Sequence, residues 1–144
     1  MVTLNDGLRV QHAAQLATLP AAQLDEWLRT GLIRLSDSRR LNDSAFLAVL
    51  LIKLLQANHI PLDAIRPLSQ FLSERTREDI QEELRRGHTE LLGVGDSVAF
   101  VSPHSRVTNR TSRAVRVLSI DVVALMRHAR FLLDSEQLNW MRRN

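Results

Sequence analysis

The feature that most constrains the fold is an apolar segment in the first half of the chain. Residues 44–58 carry apolar side chains on nearly every side of a helix, and Asn42, Asp43 or Ser44 can cap its first turn. A helix that is apolar all round is stable only when other elements surround it. Aromatic residues make up only 4% of the chain, so leucine, isoleucine, valine and alanine must fill the core. We therefore predict a mainly helical fold with this segment at its centre.

Two shorter helices precede the central segment. Residues 10–30 repeat apolar side chains at helical spacing, and Pro20 suits the first turn of the second helix. Gly31 is a natural C-cap for that helix. A short apolar stretch then leads into residues 36–40, whose polar sequence is typical of the tip of a small β wing. We expect residues 3–8 to form a loosely packed arm. This order of elements is the outline of a winged helix-turn-helix.

The rest of the chain predicts further helices and a small sheet. A helix begins at Pro61, and we expect it to kink or break near Arg66 because Pro67 lies inside it. A capped, charged helix follows over residues 76–86, and then two strands around a glycine-containing turn over residues 91–101. The last predicted elements are a strand over residues 113–118, a helix over residues 122–133 and a polar tail over residues 134–144. We divide the chain into an N-terminal winged helix-turn-helix, residues 1–74, and a small C-terminal α/β part, residues 75–144. The last helix either covers the small sheet or forms a dimer interface.

Composition indicates a soluble cytoplasmic protein that is not an enzyme. The chain has no cysteine, and no apolar run is long enough to span a membrane. Its five histidines show no metal-ligand spacing, and no phosphate-loop or nucleophile motif is present. Paired acids such as Glu82 and Glu83 lie on a charged helix, where nothing indicates the burial that acid–base catalysis needs. We therefore predict no catalytic residues, no metal and no cofactor.

Positive charge is concentrated at the C-terminal end of the chain. Residues 1–60 carry six basic and five acidic side chains, residues 61–103 carry five and eight, and residues 104–144 carry eight and three. Within the last range, residues 104–116 hold arginines among serines, threonines and an asparagine, without an acid. Such a segment suits contacts with a nucleic-acid backbone, and the alternative is a solvated loop. The residues predicted to contact DNA here are Arg106, Arg110 and Arg113.

The N-terminal region resembles the DNA-binding domain of the MerR family of regulators. Residues 23–33 read QLDEWLRTGLI, where the family has a second helix followed by a glycine and apolar residues. The positions that fit are Leu24, Trp27, Gly31, Leu32 and Ile33. Arg40 matches the arginine of the family's wing, and residues 59–65 approximate a later family pattern without its glycine. The resemblance covers about residues 9–72, and it implies a winged-helix fold and dimeric binding to promoter DNA.

The second helix departs from the family at the position that contacts DNA. Asp25 stands where the family has an arginine, and Glu26 follows it. Carboxylates near phosphates weaken binding because like charges repel. Our leading hypothesis is nevertheless a homodimeric DNA-binding transcriptional regulator. The residues predicted to contact duplex DNA in this region are Arg9, Gln23, Arg29, Arg39 and Arg40.

Two other functions fit the same scaffold. A protein-binding adaptor or inhibitor would use the acidic second helix against a basic partner. An acidic second helix also occurs in the MerR-like chaperone-modulator family, which binds a protein partner rather than DNA. A small phage-type protein in DNA packaging or recombination is a third hypothesis. Salt-dependent binding to random duplex DNA would separate the first two functions, because only a DNA binder should lose affinity steeply with salt.

Overall fold

The structure, a computed structural model, describes residues 8–35, 40–103 and 117–143, with side chains as far as residue 135. Residues 36–39 of the predicted wing tip, and the basic segment at residues 104–116, lie outside these ranges. The described residues are mainly helical, as predicted, with two small antiparallel sheets. In chain order the elements are β1 (Leu8–Arg9), α1 (Val10–Leu16), α2 (Ala21–Arg29), β2 (Arg40–Leu41), α3 (Asp43–Ala57), α4 (Leu62–Glu74), α5 (Arg77–Arg85), β3 (Glu90–Val94), β4 (Ser97–Val101), β5 (Val117–Asp121) and α6 (Val122–Arg143).

Helix α3 is the centre of the core, which confirms the prediction from its sequence. Its buried side chains lie on every side of the helix, and α4 packs along it, while α6 also contacts it. The side chain of Asn42 caps the helix, because its Oδ1 accepts a hydrogen bond of 2.9 Å from the amide of Ala45. Phe46, Leu51 and Ile52 are completely buried. The remaining helices are therefore arranged around one apolar helix.

Two small sheets flank the helices. Strand β1 pairs antiparallel with β2, with Leu8 opposite Leu41 and Arg9 opposite Arg40. Leu8 and Leu41 are buried, so the prediction of a loose arm was wrong at Leu8, whose side chain belongs to the core. The second sheet has the order β4–β3–β5, and both pairings are antiparallel. The predicted hairpin over residues 91–101 corresponds to β3 and β4.

Four helices end in the same hydrogen-bonded motif. The residue after the C-cap adopts a left-handed conformation at Thr18 (φ 57°), Gly31 (φ 77°), His59 (φ 62°) and Gly87 (φ 82°). After α1, the amide of Leu19 donates to the carbonyl of Ala14 at 2.8 Å, and the amide of Thr18 donates to that of Gln15. The equivalent two hydrogen bonds are present at the C-terminal ends of α2, α3 and α5, so each of the four helices ends in a Schellman motif. Gly31 was predicted to end α2, and Gly87 serves α5 in the same way.

The predicted break in α4 does not occur. The helix continues through Pro67, because Ile65, Leu68 and Leu72 bury one continuous face of it. The bond that proline cannot donate would go to the carbonyl of Asp63, an exposed residue at which water can replace it.

The end of the chain is more helical than predicted. Helix α6 continues to Arg143, although we expected a polar tail after residue 133. Residues 131–143 contain neither glycine nor proline, so nothing in the sequence ends the helix. Strand β5 begins at Val117, whereas residues 113–116 of the predicted strand lie outside the described residues. Asp121 caps the start of α6, since its Oδ1 accepts a hydrogen bond of 3.0 Å from the amide of Ala124. In the described ranges, no helix has both the length and the apolarity required to cross a membrane.

Candidate nucleic-acid interface

Helices α1 and α2 pack against each other. We call residues 10–29 the helix pair. Ala13 and Ala14 of α1 and Leu24 of α2 are completely or almost completely buried, and the small alanines let the two helices approach closely. The ammonium group of Lys53, on α3, donates a hydrogen bond to the carbonyl of Ala17 in the turn between the two helices. The turn is therefore tied to the central helix of the fold.

The exposed face of α2 carries charges of both signs. Asp25, Glu26 and Arg29 are exposed, and they follow one another at helical spacing on the side away from Leu24 and Trp27. Gln23 is half-buried near the start of the helix. The side chain of Asp25 makes no hydrogen bond or ion pair with any residue in the described ranges. The predicted groove-facing helix is thus accessible, but its net charge is negative.

The Glu26 carboxylate and the Arg29 guanidinium form an ion pair. Arg29 donates from Nε at 3.2 Å and from Nη2 at 2.5 Å, and both bonds go to Oε2 of Glu26. The hydrogen bond and the positive charge of Arg29 lower the pKa of Glu26, and the same contact raises the pKa of Arg29. Both side chains are more than half exposed, at 53% and 70%, so water screens the attraction and the pair adds little to stability.

Two arginines lie side by side next to the helix pair. In the register of β1 and β2, Arg9 is directly opposite Arg40, and both are exposed. Side chains in directly opposite positions have Cβ atoms about 5 Å apart, and like charges there repel each other. We call Arg9 and Arg40 the arginine pair. Guanidinium groups donate strong, charge-assisted hydrogen bonds to anions such as phosphate.

Helix α4 holds the segment that joins α2 to the region before β2. We call residues 30–34 the connecting segment. Ser69 donates to the carbonyl of Leu32 at 2.7 Å, and Gln70 donates to that of Gly31 at 2.7 Å. Arg66 donates to the carbonyl of Thr30 at 2.9 Å. Side chains of α4 thus donate hydrogen bonds to three backbone carbonyls of the connecting segment, which fixes the direction in which the chain leaves α2.

The far end of the connecting segment is held in the same way. The amide of Arg34 donates to the hydroxyl of Ser73 at 3.0 Å, and its guanidinium pairs with Glu74 at 2.5 Å. Ser69 and Ser73 are almost fully buried, so their hydroxyl groups form these bonds away from water. The position of the helix pair relative to α4 therefore depends on a set of polar contacts that are mostly directed at backbone atoms.

An open groove of about 510 Å³ runs along α4 beside this segment. Arg34 and Arg66 line one part of it, while Asp63 and Asp96 bring negative charge and Phe71 brings an apolar surface. Phe71 also contacts Phe100 of β4, with ring centroids 5.7 Å apart. Because acids and bases are mixed here, the groove does not favour a polyanion, and we do not assign the nucleic-acid interface to it.

Asp43 is a partly buried carboxylate that follows β2 in the chain. Its Oδ1 is buried and has no hydrogen-bond partner within the ranges that the structure describes, while its Oδ2 lies 3.5 Å from Nε of Arg77. Burial raises the pKa of Asp43, the charge of Arg77 opposes this shift, and the charge of Glu78 adds to it. Asp43 thus binds a proton more readily in the folded chain than in the unfolded chain.

The residues predicted to contact DNA are only partly brought together. Arg9 and Arg40 become neighbours through strand pairing, and Gln23 and Arg29 lie on α2. Arg39 and the second predicted set, Arg106, Arg110 and Arg113, lie outside the described residues.

Sequence reasoning missed the residues of α4 that hold the connecting segment. Arg66, Ser69, Gln70 and Ser73 recur at intervals of three and four residues on a helix whose other face is apolar. A polar stripe that contains two small serines could have indicated contact with another backbone, because exposed stripes usually carry longer charged side chains.

Among the residues that the structure describes, no group of histidines and acids could hold a metal ion. Comparisons with family models, curated proteins and solved structures found no match to this chain.

Proposed function

We propose that the protein is a transcriptional regulator that binds duplex DNA in the cytoplasm through a winged helix-turn-helix like that of the MerR family. The helix pair would form the helix-turn-helix, with α2 in or near the major groove. Arg40 would belong to the wing. The observation that carries the proposal is the arginine pair, because the strand register places two exposed arginines beside each other next to the helix pair, and arginine side chains suit contacts with phosphate oxygens.

The buried contacts of the region support the same function. The Schellman motif at Thr18, the bond from Lys53 and the contacts from α4 hold the helix pair in one orientation. A reader of duplex DNA needs such a fixed orientation, since its phosphate contacts set the register in which a helix meets the bases.

A binding measurement tests the proposal. The anisotropy of a labelled random-sequence duplex should rise with protein at low salt. Arg9→Ala or Arg40→Ala should each weaken binding about eightfold at 0.1 M salt, the value of one phosphate contact in the counterion-release relation. Arg85→Ala is the matched control, because Arg85 is an exposed arginine on α5 that pairs with Glu82. Equal losses in all three variants would mean that general positive charge attracts DNA and that the arginine pair does not.

One observation favours a second function, a protein-binding adaptor or inhibitor. Asp25 is exposed and has no partner in the described ranges, so α2 offers an acidic surface to a basic protein. Asp25→Asn distinguishes the two functions. In a DNA binder the substitution should strengthen duplex binding, because it removes a charge that repels phosphate. If the wild-type protein and this variant both fail to bind duplex at low salt, the adaptor becomes the better hypothesis.

The proposed regulator is a homodimer. Phe131, on α6, is 66% exposed, and Leu132 and Leu133 beside it are only partly buried. An exposed aromatic side chain next to further apolar surface suits contact with a second copy. Light scattering should give the mass of two chains, and Phe131→Ser should shift the equilibrium towards monomers. A monomeric wild-type protein at micromolar concentration would contradict this part of the proposal.

A further inference from the structure

The ion pair on α2 engages only one edge of the guanidinium group of Arg29. Glu26 takes one edge of the Arg29 guanidinium, the edge formed by Nε and Nη2. The other edge, formed by Nη1 and Nη2, keeps its outward N–H groups. Both bonds end on Oε2, so Oε1 of Glu26 remains an acceptor within the described part of the chain. The pair therefore offers donors and an acceptor side by side on the exposed face of α2.

The major-groove edge of a G·C base pair has the complementary pattern. Guanine offers two acceptors, N7 and O6, which the terminal edge of a guanidinium contacts with two hydrogen bonds. Cytosine offers a donor, its N4 amino group, which a carboxylate oxygen can accept. We propose that Arg29, held in place by Glu26, reads a guanine in the DNA site of this protein. The inference rests on the proposed function, since it requires that α2 enters the major groove of duplex DNA.

Holding the arginine before DNA arrives has a physical advantage. A free arginine side chain populates many rotamers and loses that freedom on binding, which costs about 0.5 to 1.5 kcal/mol. Whenever the ion pair with Glu26 is formed in the free protein, Arg29 already has this orientation, so less freedom remains to be lost. The carboxylate that reduces attraction to phosphate thereby contributes to base selection, and α2 would bind weakly in general but discriminate between sequences.

The experiment begins with selection of duplexes from a random pool by the wild-type protein. The selected sites should share a G·C pair at one position of each half-site. The affinity of the protein for one selected duplex is then compared with its affinity for the same duplex with A·T at that position. The affinity of the wild-type protein for the A·T duplex should be about 5- to 150-fold lower than for the G·C duplex, which is the range for one arginine–guanine contact with two hydrogen bonds.

Variants assign this loss to the ion pair. Arg29→Ala should bind the G·C and A·T duplexes equally well. Arg29→Lys should recover only part of the preference, because an ammonium group lacks the planar pair of donors. Glu26→Gln should reduce the preference while it raises affinity for both duplexes, since a repelling charge is gone. Arg40→Ala is the control, and it should lower the affinity for both duplexes by the same factor. Circular dichroism should show that each variant is folded.

The possible outcomes separate the inference from the proposed function. Failure of the wild-type protein to bind any duplex at low salt would overturn both. Binding without an enriched G·C position, or an Arg29→Ala variant that keeps the same preference, would overturn the guanine contact and leave the DNA-binding function standing.

Discussion

Thr18 and His59 adopt a backbone conformation that side chains oppose, and glycine in their place should stabilise the protein. A residue with a Cβ costs about 1–2 kcal/mol in the left-handed region. Glycine avoids that cost, but it makes the unfolded chain more flexible, which lowers the free energy of unfolding by about 0.4–1 kcal/mol. Both side chains are exposed, so their removal loses little packing. Thr18→Gly should therefore raise the free energy of unfolding by about 0.5–1 kcal/mol, and His59→Gly by less, because histidine tolerates this region better than a β-branched residue.

Gly31 and Gly87 occupy the same position of the same motif, so replacing them with alanine is the matched experiment, in which the free energy of unfolding should change in the opposite direction. A Cβ at Gly87 would meet no atom within 4 Å, and one at Gly31 would meet only Nε2 of Gln70 at 4.0 Å. Alanine at either position should therefore destabilise through backbone conformation alone, by about 0.5–1 kcal/mol. Urea unfolding, followed by the fluorescence of the buried Trp27, measures all four variants. Each kcal/mol should shift the melting temperature by about 2–4 °C. A destabilised Thr18→Gly or an unchanged Gly87→Ala would refute the reasoning.

Three further predictions concern polar groups. Ser69→Ala removes the hydroxyl that the Leu32 carbonyl accepts from, and the free energy of unfolding should fall by about 1–3 kcal/mol in a denaturant titration. Lys53→Met removes the ammonium donor to Ala17, and thermal unfolding should show a loss of about 1.5–3 kcal/mol, whereas a neutral result would mean that the turn does not need Lys53. Because burial raises the pKa of Asp43 above 3.8, its stabilising contribution is complete below that pH and is lost as pH rises through the folded-state pKa. The stability of Asp43→Asn relative to wild type should therefore increase from acidic to neutral pH in urea titrations, and a difference that is constant with pH would exclude this role for Asp43.

Local patterns in the sequence predicted most of the elements. Residue types at short spacing predicted the central helix and its cap at Asn42. They also predicted the capped start of α5, where Thr76 and Asp79 form a capping box. The left-handed residues Thr18 and His59 could not be predicted in this way, because neither is a glycine, the residue type that adopts this conformation most readily. The continuation of α4 through Pro67 also depends on packing, since the sequence around a proline favours a break.

The candidate site was predictable residue by residue but not as an arrangement. Arg9 and Arg40 were each identified by charge and position, yet only the register of β1 and β2 brings them together. The conflict caused by Asp25 and Glu26 was visible in the sequence. The edge of Arg29 that Glu26 occupies was not visible, because it depends on rotamers of two exposed side chains. The same limitation applies to the contacts from α4, which join residues distant in the chain.

The salt dependence of duplex binding tests the central claim most directly. The logarithm of the association constant falls with the logarithm of salt concentration by about 0.9 for each phosphate that the protein neutralises. If the arginine pair contacts two phosphates, the Arg9→Ala, Arg40→Ala double variant should have a slope that is shallower by about 1.8 than that of the wild-type protein. A double variant with the wild-type slope, or a wild-type protein that binds no duplex at low salt, would contradict the claim.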